Sequence, residues 1–168
     1  LVLSYGMTEA SMDCFSCHKR NNFTKRVAHE PVAAGDCSSC HNPHVARFKG
    51  LLQRQGQALC FTCHDDFLSG MATVHPALEN GCISCHNPHA GEQQKMLSVQ
   101  GADLCYQCHE MRTSADGVAH SPVAEGDCLA CHNPHASPNR AMLRSSGSDL
   151  CYQCHENNST KKSVHSPV

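Results

Sequence analysis

Two cysteines separated by two residues and followed at once by a histidine recur along this 168-residue chain. The sets are Cys14/Cys17/His18, Cys37/Cys40/His41, Cys60/Cys63/His64, Cys82/Cys85/His86, Cys105/Cys108/His109, Cys128/Cys131/His132 and Cys151/Cys154/His155, and they use all 14 cysteines. A helical turn brings two thiols at this spacing to one side, with the histidine beside them. Thiols so placed can form thioethers with the two vinyl groups of a porphyrin, and the adjacent imidazole can then ligate the iron from below. C-x-x-C-H is the attachment signature of a c-type haem. Seven covalent haem c groups, each with its iron, are therefore expected.

The remaining histidines are His29, His44, His75, His89, His120, His135 and His165, each at a repeat-equivalent position. Seven irons with two axial sites apiece need as many ligands as the chain has imidazoles, which total 14. The match points to bis-histidine, six-coordinate iron. Such iron has no vacancy for a substrate and passes electrons instead of making bonds. Methionine is the rival axial ligand, but Met96 and Met142 align with Leu51, a position that takes an apolar filler, and Met7, Met12, Met71 and Met111 do not recur. Zinc needs no histidine directly after the second cysteine, and disulfides are disfavoured once the thiols are committed to vinyl groups. The sequons at Asn22 and Asn157 are weak patterns.

Reach suggests a pairing. His44 follows His41 by three residues, which span only about 10 Å and cannot round a porphyrin edge. It should serve another haem, most simply that of Cys14/Cys17. His29 lies upstream of Cys37 and can fold over the open face of the Cys37/Cys40 haem. Repetition gives His75 to the haem of His86, His120 to that of His132, His89 to that of His64 and His135 to that of His109. The two haems of a pair would then be cross-tied. This scheme leaves the His155 haem without a local distal ligand and His165 without a haem. The opposite scheme, with His29 on the His18 haem and His165 on the His155 haem, stays open.

The segments that must position these residues are repeats. The motifs begin at 14, 37, 60, 82, 105, 128 and 151, and their flanks alternate. One half reads Leu104 to Glu110, echoed by Leu150 to Glu156 and more loosely by Leu59 to Asp65; the other reads G-(D)-C-x-x-C-H-N-P-H at 35–44, 81–89 and 126–135. Between them lies V-x-H-x-P-V, as at Val27 to Val32, with a shortened copy at Val74-His75-Pro76. The true repeat is thus a two-haem unit of about 46 residues, running roughly 11–56, 57–101 and 102–147, with a partial copy at 148–168. A short helix is expected at each x-x-L-C-x-x-C-H, preceded by Gly56, Gly101 or Gly147. Pro43, Pro88 and Pro134 hold the chain out of regular structure after the motif. No sustained period-2 alternation marks a strand. Leu1–Gly6 echoes Met96 to Gly101, and Val164–Val168 opens a half-repeat, so the chain reads as a piece of a longer array.

Composition agrees. Aromatics are 5% and Trp is absent, so a core of side chains alone would be thin, and haems would supply the missing apolar mass. The side-chain charge is −2, and ionised propionates would take the holoprotein to roughly −9 oxidised and −16 reduced. Such a particle repels nucleic acid. No apolar run of about 18 residues is present, so no transmembrane segment is expected. Covalent haem attachment of this kind is made outside the cytoplasm, which implies export.

These motifs resemble the multihaem c-type cytochromes of the doubled C-x-x-C-H class over essentially the whole chain. The resemblance implies a mostly irregular, elongated polypeptide with short α-helices, wrapped round a linear haem array. It also implies electron transfer from haem to haem, a periplasmic or extracellular setting, and partners that are redox proteins, an extracellular terminal acceptor or further copies of the chain, as in filaments. The competing readings are a multihaem reductase with one open haem, at His155, and a haem-bearing structural domain. No set of catalytic residues is visible beside the haem motifs.

Overall fold

In a computed structural model of the chain, residues 14–110 and 117–157 are described. His165, Met7, Met12 and Met111, both terminal half-repeat echoes and part of the Asn157 sequon lie outside them. The chain gathers into two units, Leu1–Arg54 with His86–Ser98, and Gln55–Cys85 with Val99–Val168.

The elements are short. Helices α1 (Glu30–Ala33), α2 (Gln57–Cys60), α3 (Ala102–Tyr106), α4 (Ser121–Ala124) and α5 (Ser148–Cys151) are one turn each. The motif halves fold differently. The L-C-x-x-C-H halves begin on α2, α3 and α5, but the helices end at or one residue past the first cysteine, so the second cysteine and the histidine follow on a turn instead of within the expected helix. The G-(D)-C-x-x-C-H halves form 3₁₀ turns at Cys37–Ser39, Cys82–Ser84 and Cys128–Ala130. The glycines before α2, α3 and α5 have φ of 60°, 65° and 60° with ψ near −140°. That backbone is open to glycine and closed to residues with a Cβ, which explains the recurrence of Gly56, Gly101 and Gly147.

Strands exist, contrary to the expectation from patterning. In the first unit β1 (Val27–Ala28) pairs antiparallel with β3 (Ala90–Gly91), and in the second β2 (Thr73–Val74) pairs with β4 (Ala136–Ser137). Each is two residues long, too short for alternation to register, and its partner lies more than a repeat away. The V-x-H segment of one repeat thereby adds to the N-P-H-A segment of the next. The backbone N–H of His29 donates to the His89 carbonyl at 2.9 Å, and that of His75 to the His135 carbonyl at 2.9 Å.

Among the described residues the buried side chains are Ala90, Ala136 and Ser137, all on these strands. Two alanines and a serine cannot stabilise a fold by apolar burial at ~25 cal/mol per Å². The remaining apolar side chains of the described residues are half-buried or exposed, which fits the expected shortage of protein-only core.

Candidate functional site

Six of the pentapeptides are seen to close on themselves. The N–H of His18, His41, His64, His109, His132 and His155 donates to the carbonyl of the first cysteine of its own motif at 2.9–3.0 Å. All 14 cysteines are thiols, half-buried or exposed. Burial raises the thiol pKa of Cys37, and the neighbouring Cys14 thiol raises it further. Cys105 is raised in the same way, by burial and then by Cys128. The first cysteines of motifs one and two therefore stand together, and so do those of motifs five and six.

The histidines meet in pairs. The rings of His41 and His89 lie 6.0 Å apart with planes 26° from parallel, those of His75 and His109 6.0 Å and 19°, and those of His120 and His155 6.0 Å and 28°. Two iron–nitrogen bonds of about 2 Å, plus roughly 1 Å from each nitrogen to its ring centre, give about 6 Å between centroids of two imidazoles on one metal. The gap thus suits a bis-histidine haem. A hollow of about 650 Å³ lined by residues including Gly56, Leu68, Val74, His75 and Pro76 adjoins one of these rings.

Protonation fits as well. The Nδ1 of His41 lies 2.7 Å from the Gly50 carbonyl, that of His86 2.9 Å from Lys95, that of His132 3.0 Å from Ala141 and that of His29 3.1 Å from Pro88. A carbonyl only accepts, so each Nδ1 carries the proton and Nε2 keeps its lone pair for a metal. The pKa of His75 is lowered by burial and then by the nearby His109, against a hydrogen bond with Pro134. That of His89 is lowered by burial, then by His41 and His29. Both shifts favour the neutral, ligating form.

This arrangement of rings differs from both reach schemes. The first put His29 over the Cys37/Cys40 haem, with His75 and His120 following suit; the structure sets His75 against His109, His120 against His155 and His89 against His41. For His29 and His75 the strand addition draws the V-x-H segment onto the N-P-H-A segment at 87–90 or 133–136 instead of over its own downstream motif; the segment before His120 forms no strand. The His155 ring, left without a local partner by the first scheme, is faced by His120; His165, which the opposite scheme uses, lies outside the described residues.

Other residues hold these rings without having been singled out by sequence. The Oδ1 atoms of Asn42, Asn87 and Asn133 accept from the backbone N–H of His44, His89 and His135 at 3.1, 3.0 and 3.0 Å. Phe23 packs edge-on against His89 at 5.2 Å, and Phe67 lies tilted against His135 at 5.0 Å. The recurrence of Asn in N-P-H was the available signal for the first group. His44 is exposed, and His18 lies 6.5 Å from Phe23.

The doubled CXXCH motif family matches residues 29–68, 75–113 and 120–160. The chain belongs to the doubled CXXCH family. It is a multihaem c-type cytochrome, with several covalently attached haem c groups and, by that family, a part in electron transfer. Each family match opens on a V-x-H histidine and closes beyond the second motif, so this doubled CXXCH cytochrome is framed by the same segments that form β1, β2 and the N-cap of α1. The first pentapeptide, Cys14/Cys17/His18, precedes the first match. A comparison with curated proteins gives no match. No helix among the described residues is long and apolar enough to cross a membrane, and cytochromes of this class are typically exported.

Proposed function

We propose that this cytochrome binds seven haem c groups as bis-histidine centres and carries single electrons along them. The observation that supports the reading best is the set of three imidazole pairs, His41/His89, His75/His109 and His120/His155, repeated at one separation and near-parallel. Cys14, Cys17, Cys37, Cys40, Cys60, Cys63, Cys82, Cys85, Cys105, Cys108, Cys128, Cys131, Cys151 and Cys154 form the thioethers. The other eight histidines equal in number the axial sites of the other four irons.

When bound, the haems supply the redox couple: a ferrous centre gives one electron to a ferric neighbour. The polypeptide's own residues fix which edges approach. The Cys14 and Cys37 thiols stand together, as do those of Cys105 and Cys128, so residues that would hold consecutive haems are neighbours there. Low potentials follow from two imidazole ligands. The carrier works outside the cytoplasm, in the periplasm or at the cell surface, between redox proteins or as a length of a longer conduit.

Mass spectrometry of the holoprotein is expected to find seven covalent haems. Its oxidised EPR spectrum should be low-spin, and redox titration should be reversible over the whole haem absorbance. A haem count below seven, or predominantly high-spin iron, overturns the reading.

A further inference from the structure

Three pairs of consecutive residues adopt the left-handed conformation. Gly50 and Leu51 have φ of 74° and 58°, Lys95 and Met96 55° and 56°, and Ala141 and Met142 55° and 56°. Five of these six residues have a Cβ, for which the conformation is strained. The carbonyls explain the location. The first of each pair accepts from the Nδ1–H of His41, His86 or His132 at 2.7–3.0 Å. The second accepts from the backbone N–H of Asn42, Asn87 or Asn133 at 2.8 Å.

We propose that this left-handed dipeptide is a positioning device that lowers the reduction potential of the haems on His41, His86 and His132. The inference rests on the reading of these histidines as axial ligands. Backbone strain survives where surrounding structure over-determines it, and it clusters at working sites. Here it turns two successive carbonyls the same way, one onto the ring and one onto the residue after the ring. The bonded Nδ1–H shifts charge into the imidazole and makes Nε2 a stronger donor, which stabilises ferric over ferrous iron.

Among the described residues the device falls on the G-(D)-C-x-x-C-H half of the repeat. No carbonyl of a described residue is bonded to the ring of His18 or His109, and no left-handed pair stands nine residues after either. Sequence alone hides it, because Gly-Leu, Lys-Met and Ala-Met share no residue type at the first position.

Lys95→Pro and Lys95→Gly test the proposal in the holoprotein. Proline holds φ near −65° and swings the residue-95 carbonyl off His86. Glycine keeps the left-handed turn and relieves its strain. The expected result is that one of seven midpoint potentials moves upward in Lys95→Pro, while Lys95→Gly keeps all seven in place and melts at a higher temperature. A folded Lys95→Pro protein with unchanged potentials overturns the proposal. Should that variant not fold, NMR of ¹⁵N-histidine-labelled reduced wild type decides: slowly exchanging Nδ1–H signals at His41, His86 and His132 support the device, and rapid exchange there overturns it. Haem count and spin state of the same samples report separately on the axial-ligand reading.

Discussion

The ring of His109 faces that of His75 at 6.0 Å, although an entire C-x-x-C-H-N-P-H segment, 82–89, lies between them in the chain. On the proposed bis-histidine reading, the second ligand of one haem would come from folding across a distance of 34 residues, not from local chain reversal. His75→Ala is expected to turn one low-spin haem in seven into a five-coordinate, carbon monoxide-binding centre. Removing the Cys105/Cys108 haem in the same variant should abolish that binding. Persistence of the signal, followed by its loss on removing the Cys82/Cys85 haem, would restore the local pairing.

His155 offers the sharper test of function class, because an open iron there was the one foothold for a reductase. His120 stands 6.0 Å from it. The His155 haem of the unaltered protein is therefore expected to ignore carbon monoxide and nitrite, and His120→Ala to make it reactive. A reactive His155 haem with His120 in place would favour the reductase.

What the sequence discloses is the part that depends on neighbours in the chain. Thiol spacing, the turn that closes each pentapeptide and the glycine before α2, α3 and α5 are local, and they are legible. The absence of a side-chain core was legible too, from the scarcity of aromatics. The partners of His41, His109 and His155 were not. The first two accompany two-residue strands such as Val27–Ala28 and Ala90–Gly91, whose hydrogen bonds carry no pattern of their own, and the third joins residues 35 positions apart with no strand pairing among the described residues to link their segments. The positive φ values at Lys95 and Ala141 were hidden for a different reason: neither residue type prefers that conformation, and the ring hydrogen bonds it enables are visible in three dimensions alone.

Asn87 supplies a third test. Its Oδ1 accepts from the amides of His89 and Ala90 at 3.0 and 3.4 Å, so it sets the direction in which the His89 ring leaves the backbone. Asn87→Ala should lower stability by about 1 kcal/mol and broaden the EPR signal of the His41 haem, since the angle between its two rings is no longer held. Asn87→Asp keeps the acceptor and should restore the narrow signal. An unchanged spectrum in Asn87→Ala would assign the side chain a purely local turn role.

Gly126 tests how the fifth and sixth motifs are kept together. Its φ is 76°, and a Cβ built there would stand 2.8 Å from the Ala102 Cβ on α3. Two costs follow in Gly126→Ala: left-handed strain of about 1–3 kcal/mol and a clash of two methyl groups, neither of which can swing aside. The displacement should also separate Cys105 from Cys128, whose thiols approach each other in the same unit. A lowered melting temperature, followed by the haem absorbance, is expected together with slower electron exchange between those two haems. Adding Ala102→Gly removes the clash but leaves the strained φ, so it should recover the exchange rate fully and the stability in part. Full recovery of both would show that strain at Gly126 is negligible, and recovery of neither would place the contact elsewhere.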